Sequence, residues 1–102
     1  MKIIKDKYLQ KRGGSAKILN IYCQKCFNKL FTYQKDGVGQ LKRCYINRIT
    51  DNIKLIDNAL YCPKCKERIG FGIIHTDKRQ TIKLIRGTII KKKYEYSNNR
   101  RR

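Results

Sequence analysis

Apolar residues along the chain fall in short runs separated by turn residues, and the runs are rich in β-formers. Residues 16–22 carry Ile18, Ile21 and Tyr22 and read as a strand leading directly into Cys23. Residues 30–34, Leu-Phe-Thr-Tyr-Gln, read as a second, aromatic-rich strand. Asp36-Gly37 is the strongest hairpin signal, because the turn needs positive φ and glycine supplies it without a Cβ clash. Residues 41–49 are then expected to return as the partner strand. Their alternation is ambiguous. Leu41, Tyr45 and Ile49 lie on one side, Cys44 and Ile46 on the other, and Lys42, Arg43 and Arg48 fall on both.

Thr50-Asp51-Asn52 and Asp57-Asn58 are turns around residues 53–56, a short strand or an irregular segment. Residues 59–61 run into Cys62. Residues 69–74 form a strand in which Gly70 and Gly72 allow a bulge or a close backbone approach. A basic turn, Asp77-Lys78-Arg79-Gln80, leads to last strands at 81–86 and 88–96, with Gly87 between them. Residues 1–15 are a basic arm ending in Gly13-Gly14-Ser15; a short helix over 3–10 and a flexible tail fit it equally. Gly13-Gly14-Ser15-Ala16-Lys17 lacks the spacing of a phosphate-binding loop and precedes a strand, so it reads as a linker. The expected fold is a small, mostly-β antiparallel domain over 16–96. Flexible basic termini flank it at 1–15 and 97–102.

Length and charge narrow the classes. The 102 residues make one domain with a thin stability margin. Lys and Arg number 26 against 7 Asp and Glu, a net charge of +19, which calls for an acidic partner. Isoleucine is abundant and valine occurs once, a usage typical of AT-rich coding, so part of the lysine excess is coding bias. That bias explains neither the shortage of acids nor the Arg100-Arg101-Arg102 run. No stretch approaches the roughly 18 apolar residues of a membrane span. Residues 1–7 show no apolar core of a secretory signal. A cytoplasmic protein without membrane contact is expected.

Four of the five cysteines form two CxxC pairs, Cys23/Cys26 and Cys62/Cys65. In a reducing compartment this pattern points to a metal rather than to disulfides. Each pair can set two sulfurs on one ion across a tight turn, and two turns complete a four-thiolate zinc site. Pro63 pre-sets φ inside the second turn. Cys44 has no CxxC partner and is read as a small buried hydrophobe. His75, the only histidine, is read as a turn residue at a strand end. Each knuckle follows an apolar-aromatic strand, Ile21-Tyr22 before Cys23 and Leu60-Tyr61 before Cys62. On Cys23, Cys26, Cys62 and Cys65 the chain resembles the zinc ribbon group, over roughly residues 16–75. The resemblance implies an antiparallel β framework and a structural zinc ion. The group includes transcription factors, polymerase subunits and ribosomal proteins. The chain departs from the pattern after each second cysteine, where many ribbons soon have glycine and this chain has Phe27 and Lys66.

Basic residues interleave with aromatics, the combination that neutralises phosphates and stacks unpaired bases. The candidate contacts are Lys35, Lys42, Arg43 and Arg48 around a glycine-bearing loop, Lys91, Lys92 and Lys93 on a late strand, and Tyr33 and Tyr45 as stacking platforms. The expected function is nucleic-acid binding through phosphates, with RNA favoured over DNA, in a ribonucleoprotein or transcription complex. The alternative is a protein-interaction subunit docking on a larger complex. A small nuclease ranks third, since the few acids sit mostly in turns and show no catalytic spacing. An enzyme is not expected, and no catalytic residue is assigned.

Overall fold

Alternation in the first strand fixes where the core lies. In the computed structural model, which describes residues 3–94, β1 (Ala16–Cys23) buries Leu19, Ile21 and Cys23, spaced by two as a pleated strand requires. Helix α1 (Lys7–Lys11) precedes it. After it come β2 (Lys29–Asp36), β3 (Arg43–Tyr45), a 3-10 turn (Ile46–Arg48), β4 (Ala59–Tyr61), β5 (Arg68–Ile74), β6 (Gln80–Leu84) and β7 (Ile89–Lys93). They build two antiparallel sheets, ordered β2-β1-β7 and β3-β6-β5-β4. The architecture is that of a small zinc-ribbon-like β domain.

Leu19, Ile21, Phe31 and Tyr33 of the first sheet pack with Cys44, Leu60, Ile69 and Ile82 of the second in one core. The Tyr33 hydroxyl accepts a hydrogen bond from Tyr45 N at 2.9 Å, so the buried phenol is satisfied and ties β2 to β3. At Gly70 the backbone of β6 comes so close that a Cβ would lie 2.5 Å from the Lys83 carbonyl oxygen. Thr88 bridges the sheets. Its carbonyl accepts from Gln24 N, and its hydroxyl donates to the carbonyls of Ile69 and Ile85.

The hairpin expected at Asp36-Gly37 is half right. The second strand ends there, with Gly37 at φ 73°. The chain then crosses to the other sheet, where β3 pairs with β6 instead of returning along β2. Only one bridge, Tyr33 to Ile49, joins β2 to this segment. The expected long strand at 41–49 breaks into three strand residues and the 3-10 turn. That turn points Arg48 inward, to two carboxylates that a straight strand would not bring to it. Residues 53–56 are irregular. They close on β4 through a two-residue turn, Asp57-Asn58, with both residues at positive φ.

The N-terminal segment is not a free arm. Asp6 caps α1, its Oδ1 accepting from Tyr8 N and Leu9 N, and Leu9 is buried. The Gln34 side chain makes two hydrogen bonds to the Ile4 backbone, at 2.7 and 3.0 Å. Arg12 donates to the carbonyls of Asp36 and Val38. Residues 3–12 thus lie along the end of β2 and cover polar Gln34, while Thr50 and Asp51 bond the backbone of Thr32, so both polar residues are buried beside apolar Phe31 and Tyr33. The tail expected at 97–102 lies outside the described residues, as does the end of the strand expected at 88–96.

Candidate metal centre and basic surface

The two knuckles have the same backbone construction. Cys23 N donates to Asn28 O and Phe27 N to Cys23 O; Cys62 N donates to Glu67 O and Lys66 N to Cys62 O. All four bonds span 2.8–2.9 Å. The residue after the second cysteine lies in the left-handed region in both, Phe27 at φ 64° and Lys66 at φ 68°. The flanking strands repeat as well. Tyr22 pairs with Lys29 and Tyr61 with Arg68, each just past a register shift. Two hairpins of one design therefore bring their tips together.

At the meeting point the sulfurs of Cys23, Cys26, Cys62 and Cys65 all lie within 4.8 Å of one another. Cys23 Sγ is 3.6 Å from Cys65 Sγ, and Cys26 Sγ is 3.5 Å from Cys62 Sγ. A tetrahedral thiolate site with bonds of about 2.3 Å has sulfurs about 3.8 Å apart, while a disulfide has them at about 2.05 Å. The geometry is that of one four-thiolate metal site. Burial raises the Cys62 thiol, but backbone N–H groups of Cys65 and Lys64 outweigh it and bring the group down to about 7. Cys65 accepts from the Glu67 backbone, yet desolvation and the neighbouring sulfurs drive it the other way. Four thiolates cannot coexist here without a cation to offset them.

Cys44 lies outside this cluster, fully buried on β3 opposite Ile82, and its burial pushes the thiol up. His75 sits in the turn after β5, with Nδ1 3.1 Å from Asp77 Oδ1 and its ring edge-on to Tyr45.

The residues expected to touch nucleic acid divide by burial. Lys42, Arg43, Lys91, Lys92 and Lys93 are exposed and form no ion pair with a carboxylate among the described residues. Tyr33 is core, 2% exposed, and offers no stacking face. Tyr45 is half-buried with the Arg79 guanidinium 3.6 Å from its ring centre. Lys35 is buried and donates to Gly37 O at 3.1 Å; burial first, then the charges of Arg12, Lys91 and Lys17, lower its pKa. Arg48 is 1% exposed and clamped by Asp6 and Asp36 through four hydrogen bonds of 2.6–3.0 Å. Its donors are spent inside the fold, so Arg48 and Tyr33 leave the contact surface.

The structure adds basic residues that the sequence did not single out. An open cavity of about 160 Å³ is bordered by Arg12, Lys35, Lys42, Arg43 and Arg79. A neighbouring groove of about 510 Å³ shares Gln40, Leu41 and Lys42 with it and adds Lys83, Arg86 and Lys91. Among the described residues Asp36 is the only acid bordering either, and both its carboxylate oxygens are already bonded, one to Gln34 and one to Arg48. Lys83 and Arg86 belong to different elements from Lys42, so no linear charge run announces their meeting. Comparison with family models, curated proteins and solved structures gave no match. No helix among the described residues is long and apolar enough to cross a membrane.

Proposed function

We propose that the chain is a zinc-stabilised nucleic-acid-binding protein that holds RNA, in preference to DNA, through its phosphates within a ribonucleoprotein or transcription complex. Zinc is the natural occupant of four cysteine sulfurs in a closed tetrahedral set. Its role is structural, since all four positions are filled by the protein. The observation that carries the nucleic-acid reading is the pair of adjacent clefts that share Gln40, Leu41 and Lys42. Two neighbouring concavities rimmed by Lys and Arg, with the one carboxylate that borders them among the described residues already paired, suit a phosphodiester backbone. RNA is favoured because its single-stranded loops and bulges present the unpaired backbone that such clefts would hold.

The test is fluorescence anisotropy with a labelled single-stranded RNA. Lys42→Ala with Arg43→Ala, and separately Lys83→Ala with Arg86→Ala, are expected to weaken binding about tenfold each, alike for different sequences. Lys54→Ala, outside these clefts, is expected to change little. Equal effects from all three would remove the clefts as the contact surface.

A second reading, docking on a protein complex, draws on one feature. An apolar cleft of about 570 Å³ beside the four-cysteine cluster is lined by Leu30, Ile53, Ile56, Tyr61 and Pro63, and Ile56 is 62% exposed. Protein docking that survives high salt would favour it.

A further inference from the structure

The smaller basic cavity is built more tightly than a solvated charged face. Arg79 borders it and is immobilised on three sides. Its Nε and Nη2 lie 2.9 Å from Asp77 Oδ2, and its Cζ sits 3.8 Å from the Tyr8 ring centre and 3.6 Å from that of Tyr45. Its remaining nitrogen, Nη1, is the one buried side-chain polar atom among the described residues that lacks a hydrogen-bond partner. Such an orphaned donor is costly, and more so on a charged group. Lys35, also bordering the cavity, is buried, and its Nζ donates to Gly37 O at 3.1 Å with no carboxylate partner among the described residues. Lys42 and Arg43 stand exposed at the rim with no carboxylate partner among the described residues. Cations from four parts of the chain thus converge on a space a few water molecules in size.

We infer that this cavity is a discrete phosphate subsite, taking one tetrahedral phosphate group between Arg79, Arg43, Lys42 and Lys35. It deepens the nucleic-acid reading and rests on it for the origin of the phosphate, either a strand's 5′-terminal monoester or an internal diester. A guanidinium fixed between two rings, with Nε and Nη2 held by Asp77, offers its unspent Nη1 at low entropic cost, which favours a geometrically selective contact over diffuse attraction.

The experiment is an NMR titration of the zinc-loaded full chain with inorganic phosphate, followed at the arginine side-chain signals. Saturable shifts of Arg79 and Arg43 are expected. Arg43→Gln should weaken phosphate binding about tenfold, and Lys42→Gln should also weaken it. Lys54→Gln, exposed and bordering neither basic cleft, should leave it within about twofold. Zinc content confirms folding of each variant, and Lys42→Gln serves if Arg43→Gln fails to fold.

A second arm compares one RNA sequence with and without a 5′-phosphate, each competed with inorganic phosphate. Competition supports the subsite; stronger binding of the phosphorylated strand assigns it to chain ends, and equal binding assigns it to the backbone. Absence of saturable shifts in millimolar phosphate overturns the subsite. So do shifts indifferent to both rim variants. RNA binding that persists without those shifts leaves the broader function standing. Phosphate shifts without RNA binding would do the reverse.

Discussion

Phe27 and Lys66 occupy corresponding positions in the two knuckles, with φ of 64° and 68°. A side chain in this region costs about 1–2 kcal/mol, whereas glycine adopts it freely. Phe27 is 66% exposed, so its removal loses little packing. Phe27→Gly is therefore expected to stabilise the zinc-loaded protein by about 0.5–1 kcal/mol in chemical denaturation, the unfolded state's extra entropy taking back part of the strain. A loss of stability would contradict the left-handed assignment. The cysteines separate as cleanly. Cys62→Ala should abolish stoichiometric zinc binding and the fold with it. Cys44→Ala should keep one zinc per chain and cost about 1–2 kcal/mol for a small core void. Metal analysis of both variants checks the ligand set. The CxxC spacing made these four ligands legible. The backbone turn after each pair was not legible, because its usual marker is glycine and neither position has one.

Between elements, the N-terminal segment is latched to the β2 end by an ion triad. Arg48 joins Asp6, 42 positions away, to Asp36, 12 away. Removing the buried guanidinium strands two carboxylates, so Arg48→Ala should destabilise by about 3 kcal/mol or more. Urea denaturation measures it; a change under about 0.5 kcal/mol would contradict the burial of the triad. The Arg48 hydrogen bonds are the main cause holding Asp6 down at about 2, against an ordinary value of 3.8. A depressed carboxylate stabilises the fold above its unfolded value and loses that contribution as pH falls toward the folded one. The stability difference between the wild type and Asp6→Asn should thus be constant near neutral pH and shrink as pH drops from about 4 to about 2. Taking the difference cancels thiolate protonation, which is common to both proteins. A gap that widens with acid would contradict the sign. Apolar runs revealed most strands, since alternation is a local property. The latch and the crossover after Gly37 depend on partners distant in sequence, and only the mixed alternation at 41–49 hinted that this segment was no ordinary strand.

For the whole molecule, charge sign was legible and charge placement was not. Composition gives +19, but it does not show that Asp6 and Asp36 are consumed by Arg48, or Asp77 by Arg79. Those pairings leave the charged groups around Lys42's clefts basic, with no unpaired carboxylate among the described residues that border them. Nor does composition show that Arg48 and Tyr33 face inward while Lys83 and Arg86 join Lys42. The two parts of the proposed function, metal and nucleic acid, meet at this scale. A four-thiolate zinc site is worth about 10–16 kcal/mol, comparable to or above a small domain's entire stability. Chelation should therefore unfold the protein and abolish RNA binding together, as followed by circular dichroism and anisotropy. RNA binding that outlasts the fold would reduce the interaction to charge alone. The most direct test is the affinity of the zinc-loaded protein for single-stranded RNA across a salt series. With about six phosphates neutralised, log affinity should fall against log salt with a slope near −4, and Lys42→Ala with Arg43→Ala should flatten it by roughly two contacts. No detectable binding at ~50 mM salt, or an affinity unchanged to high salt, would contradict phosphate-directed nucleic-acid binding.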